Sequence, residues 1–320
     1  GGGIVGVQGG EPTADANAQL DTTIGSGTNV TATSDISLAS TATNTAKATA
    51  YALSLGVAAV GLNTPIANAN GWSKSNMNGN VLDGADFNVS ASSTNKATAV
   101  GDTSSGGFVG VGVSSITATA SPAPEATVGG NVTTTGAGTI STTSNTNAST
   151  TANGIAAGFV GVGEIESTVN VNPSLTSSIG ADLNYTGGSL AMSATHNSTT
   201  GAVATASSSG GGLVSSQGAE ATATSSPSVN STIGNNVDVV LTGALGVSAT
   251  TTGVTASATS DGISIGLAGI GLIDATASAS PTLNATIGAN GSIEAAGVAV
   301  TSKHNFGAGL DKGAYASTHS

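Results

Sequence analysis

Short runs in which small apolar residues alternate with hydroxyl-bearing ones recur along the whole chain. Ile116-Thr117-Ala118-Thr119-Ala120 is one, and Gly246-Val247-Ser248-Ala249 and Gly297-Val298-Ala299-Val300 are others. A period of two is the signature of a strand, whose successive side chains point to opposite faces. The β-branched Thr, Val and Ile in these runs suit a pleated surface. Gly, Asn and Pro fall between the runs, where turns need a positive or a fixed φ. No stretch keeps a 3.6-residue period over a useful length, so the pattern predicts an all-β chain.

The runs are organised by a repeat. The Gly closing Thr23-Ile24-Gly25 recurs at Gly129, Gly180, Gly234 and Gly288, with a degenerate copy around Met77-Asn78. Successive spacings are 51 to 54 residues. Twenty-two residues before each anchor stands Gly3, Gly56, Gly107, Gly158, Gly212 or Gly266, a glycine in all six units. Thr13, Thr117, Thr168, Thr222 and Thr276 follow in one column, which Ile66 interrupts, and Pro122, Pro173, Pro227 and Pro281 in another, which Ala18 and Gly71 interrupt. Units start near residues 1, 54, 105, 156, 210 and 264, and length varies only in their second halves.

A unit whose inward candidates are mostly Ala, Ser and Gly cannot build a core alone, whereas stacked copies bury faces against each other. The expected fold is therefore a parallel β-solenoid, a single repeat array over residues 1–320, with coils ~4.8 Å apart and a thin, flat interior. About six strand-like runs fall in each unit. Three strands per coil then favours two compact coils per unit over one broad one. The first unit starts at Gly1 and already matches the interior ones; the last ends at Ser320; neither carries a polar, divergent cap. The expectation is a chain either cut from a longer array or stacking end to end.

Composition narrows the function. Five Lys, no Arg and a net charge of −12 leave no footprint for nucleic acid. The same balance disfavours an anionic membrane surface, and the longest apolar stretch, 263–273, is far short of the ~18 residues of a membrane span. The absence of Cys removes disulfides, Cys-based zinc sites and thiol chemistry. Gly supplies 48 of 320 residues and Ser plus Thr about 28%. That texture suggests low complexity, but the mean hydropathy of +0.20 and the low charge argue for an ordered chain.

The unit reads Gly-Gly-Phe-Val-Gly-Val-Gly at 106–112, Thr-Ala-Thr-Ala at 117–120, Ala-Thr-Val-Gly-Gly-Asn-Val at 126–132 and Gly-Thr-Ile-Ser-Thr at 138–142. It resembles the repeats of the leukotoxin-type bacterial filamentous adhesins, secreted β-solenoids similar in style to filamentous haemagglutinin. The resemblance implies an extracellular fibre, on the bacterial cell surface or secreted; with the uncapped ends, the expected partners are further copies of itself head to tail, and a host surface or biofilm matrix. It carries over no catalytic residue.

Candidate chemistry is sparse. Eight residues after the opening glycine stand Glu11, Glu166, Glu220 and Asp274, with Thr64 and Ser115 interrupting. This column reads as a row of oxygen ligands for Ca²⁺ or, more simply, as a solvated acidic face. The Thr-x-polar column beside it (Thr117/Thr119, Thr168/Asn170, Thr222/Thr224) reads as an ice-matching array or as a plain strand ladder, and its varied second member favours the ladder. Trp72, the sole Trp, is a candidate lateral contact between fibres or with a ligand; a loop ring covering a packing defect is the alternative. His196, His304 and His319 are expected at the surface and far apart in register, which leaves a Ser-His-Asp triad no place. With no phosphate-binding loop, the chain reads as a structural protein rather than an enzyme, with no cofactor beyond the Ca²⁺ candidate. The competing expectation is an adhesive module recognising glycan or host protein along its side.

Overall fold

A computed structural model describes residues 2–305 and 313–320. Gly1, which opens the first unit, lies outside them. The described chain is all β, with every strand pairing parallel, arranged in one 12-stranded and two 6-stranded sheets. It is a parallel β-solenoid.

Each repeat forms one broad coil, not two compact ones. Gly3 pairs with Gly56, Ile36 with Phe87, and Ala202 with Ala256, so a strand meets its partner a whole unit away. The expected six short runs are also fewer and longer. The strand Ala137–Val171 is 35 residues long and is not interrupted at the apex glycine, Gly158, where the chain reverses. From the apex the chain returns along 159–171, turns at Pro173, crosses Ser174–Ile179 in the second sheet and Asn184–Gly187 in the third, and runs outward again through Ser189–Asn197 and Ala202–Ser225. Loop 198–201 separates the last two, and Asn147 Oδ1 accepts hydrogen bonds from the N–H groups of Thr199, Thr200 and Gly201 at 2.9–3.2 Å.

A single coil follows from the side chains available inside. Near the apex the outgoing and returning arms face each other through Ala and small polar residues. Ala97 and Ala99 pack with Ile116 and Ala118, and Ala204 and Ala206 with Ala219 and Ala221. Thr150 Oγ1 and Ser167 Oγ lie 2.5 Å apart across this interior. At the other end the three sheets surround a wider core of Leu38, Met77, Phe87, Ile140, Tyr185 and Leu245. The coil therefore tapers from a broad end to a thin one. An outgoing arm of about twenty residues spans roughly 65–70 Å at 3.3 Å per residue, while six rungs at ~4.8 Å stack to only about 29 Å. The chain is wider than it is tall.

The apex glycines mark a close backbone-to-backbone contact between successive rungs. An added Cβ on Gly107 would lie 1.8 Å from the carbonyl oxygen of Gly56, and on Gly158 2.2 Å from that of Gly107. Gly212 and Gly266 meet the apex carbonyl of the preceding rung in the same way, at 2.1 and 2.4 Å. Glycine is needed there because backbone approaches backbone. The Pro column is interrupted for a related reason: a Cβ on Gly71 would fall 2.3 Å from Asn44 Nδ2, a buried side chain whose Oδ1 accepts the Ala18 N–H at 2.9 Å.

Candidate functional site

The first and last rungs carry the groups most able to act. Strands Gly2–Gly10, Thr13–Asp15, Gln19–Ile24 and Asn29–Thr31 each pair on one side only. So do Thr282–Ile287, Ser292–Glu294 and Gly297–His304 at the other end. Among the described residues no further strand lies on the outer side of these end strands in any of the three sheets, an arrangement that can template further strands. Among the described residues no helix or crossing strand covers either edge.

The acidic column is real as a column. Ser115, Glu166, Glu220 and Asp274 occupy one register position in successive rungs, pointing outward from the return arm. Ser115 Oγ donates to Glu166 Oε2 at 2.9 Å. Glu164 stands two residues before Glu166, and the position next to it in the following rung is Gly218. The missing side chain there leaves an open depression of 530 Å³ walled by Glu164, Glu166, Glu220, Leu272 and Asp274. Among the described residues these carboxylates do not converge into a group of three that could hold a metal ion. They run along the stack instead of around a point. The Thr-x-polar column faces outward beside them as a ladder.

Trp72 is half-buried on the outer face of the second sheet. Lys74 Nζ sits 5.0 Å from its ring centroid and 3.0 Å from Glu125 Oε2 in the next rung. One cation thus holds an aromatic face and ties two rungs together.

The histidines depart from expectation twice. His196 is fully buried rather than on the surface, and neither ring nitrogen has a hydrogen-bond partner. His196 and His304 also share one register column, with Thr251 between them in the stack. Thr251 Oγ1 lies 2.9 Å from His304 Nδ1. His319 Nδ1 lies 3.1 Å from Asp261 Oδ1. The alternation Leu190, Met192, Ala194, His196 places the ring inside, a signal legible in the period of two.

Burial pushes the His196 imidazole down from 6.5 to about 4, because the charged ring would lose its hydration with nothing to replace it. The folded value lies below the unfolded one, so the full contribution is present above pH 6.5 and is lost as the pH falls towards 4. Urea unfolding between pH 7 and 4 should show a loss on the order of 3 kcal/mol from this group. His196→Leu should remove that component; an unchanged pH profile in the variant would contradict the assignment.

No protein-family model, curated protein or solved structure matches the chain.

Proposed function

We propose that this chain is the rod of an extracellular bacterial surface fibre, extended by strand pairing between its open end rungs and rungs laid upon them. The observation that carries this reading is the parallel register kept from rung to rung through the described stack. The end rungs share that register: Gly3 and Gly266 are both apex glycines, so a further rung on either edge continues every column. Stacking would continue the backbone ladders, extend the Ala interior of the thin end and bury the apolar groups of the end rungs. The role is mechanical, and the repeated backbone ladder supplies stiffness. The absence of Arg, the net charge of −12 and the resemblance of the unit to filamentous adhesin repeats agree with a non-enzymatic extracellular role.

Electron microscopy of the purified, untagged chain at neutral pH tests this. Long uniform filaments with a ~4.8 Å layer repeat along their axis are expected. Discrete particles no taller than about six rungs, ~29 Å, at every concentration up to 100 µM would rule out propagation by the chain itself.

A further inference from the structure

The thin end of the coil carries a second surface, independent of the two end edges. The residue after each apex glycine points outward, and all six are apolar: Ile4, Val57, Phe108, Phe159, Leu213 and Leu267. The four interior ones are 41–58% exposed. They cannot turn inward, because the two arms are too close there. An added Cβ on Gly110 would lie 2.7 Å from the Ala157 carbonyl oxygen, and on Gly161 2.8 Å from that of Ala156. The Phe108 and Phe159 rings stack in adjacent rungs with centroids 4.8 Å apart and planes 4° from parallel. Neighbouring outward positions widen the strip, with Val5, Leu55, Ile155 and Val214 each about half exposed or more. No charged residue falls within four positions after any apex glycine.

We infer that this ridge is a lateral interface, and that its occupant is the ridge of a second copy of the chain. The area fits. The strip exposes on the order of 1,000 Å² of apolar surface, against roughly 300–600 Å² for the largest patch of an ordinary monomer and about 800 Å² per partner in a standard interface. The spacing fits as well, since a ridge repeating at every rung meets in a second copy the same ~4.8 Å repeat, and two-fold pairing makes one patch self-complementary. The charge pattern selects against other occupants. Glu11, Glu164, Glu166, Glu220 and Asp274 stand just beyond the strip on the return arm, so an anionic lipid surface is repelled. A basic partner would have to reach past an uncharged crest. Between two copies the carboxylates repel weakly at a distance that salt screens, while apolar burial holds the crest together.

Because the chain has no Cys, single thiols report on this contact cleanly. Phe159→Cys places one on the ridge and Ser141→Cys one on the outer face of the outgoing arm. Rung-on-rung stacking would hold equivalent residues of neighbouring copies about 29 Å apart, so a disulfide at position 159 reads lateral pairing alone. Under mild oxidation the Phe159→Cys protein should form disulfide dimers at least tenfold faster than Ser141→Cys, and faster in 500 mM than in 50 mM NaCl. Adding Phe108→Thr and Leu213→Thr, exposed changes that keep strand propensity, should slow the reaction about tenfold with circular dichroism unchanged. Equal rates at the two positions, insensitivity to the Thr changes, or slowing by salt would each overturn the proposal. So would a ridge that binds zwitterionic phosphatidylcholine vesicles while its thiol stays unlinked.

Discussion

Gly107→Ala is expected to destabilise the protein by about 3 kcal/mol or more, although it adds a single methyl group. The new Cβ would lie 1.8 Å from the carbonyl oxygen of Gly56 in the rung below. Neither partner has a flexible side chain that could yield, so the second and third rungs must move apart at the apex. Thermal unfolding should show a melting point lower by roughly 4–5 °C or more. Because rungs interact chiefly with their neighbours, the transition should also broaden as the two halves of the stack uncouple. Gly246→Ala is the matched control. It lies inside the strand Ala244–Thr252, and its Cβ would have nothing within 4 Å. There the substitution should be neutral, or stabilise by about 0.5 kcal/mol through the narrowed unfolded ensemble. A Gly107→Ala protein melting within 2 °C of the Gly246→Ala protein would show that the apex spacing has been misread.

The second large effect lies in the broad end of the coil. Tyr185 is fully buried, in a column held elsewhere by Val30, Val81, Val132, Val239 and Ile293. Its hydroxyl occupies the space of a side chain missing at Gly138: a Cβ there would fall 1.7 Å from the Tyr185 oxygen. The column of Gly138 otherwise carries Ile36, Phe87, Leu190, Leu245 and Val298. One oversized residue therefore fills the gap beneath its own rung, with Phe87 tilted 59° against it at 6.5 Å. Burial also pushes the phenol up to about 12, so it stays neutral throughout the ordinary pH range.

Tyr185→Val alone should cost about 3 kcal/mol by opening a cavity. Gly138→Leu alone should cost at least as much by overpacking. Together they restore the pattern of the other rungs, and the double variant should recover 2–3 kcal/mol relative to the sum of the singles. Urea midpoints of the four proteins decide it, and strict additivity would show that the two sites do not share one space.

These contacts bear on function through regularity. The proposed stacking needs every rung to present the same backbone path to the next. The apex glycines secure that path at the thin end, and the Tyr185/Gly138 exchange preserves it at the broad end despite a change of residue size. The acidic column belongs to the same design. Its carboxylates stand one rung apart along an outer face, where they keep charge at the flank of the apolar crest.

The period of two and the glycine, threonine and proline columns were sufficient to establish strands, a parallel stack and the register between units, because a stacked coil writes its pairing directly into the repeat. The same columns located Glu166, Glu220 and Asp274 correctly relative to one another. Size and path of the coil were not legible. Whether a 51–54-residue unit closes once or twice depends on which runs face each other across the interior, and alternation is silent about partners. The apex glycines read only as the residues that open each unit, yet the strand runs on through them, and their role appears only when the carbonyl of the rung below is in view. His196 could have been placed inside by following its strand's alternation, but a rare polar residue invites the surface reading. The apolar crest was hidden for a physical reason as well. At the apex the two arms approach until only Gly, Ala and Ser fit between them, and the larger apolar side chains are driven outward. Strand character and stacking order belong to the sequence; which apolar residues lie inside was decided by the distance between the arms.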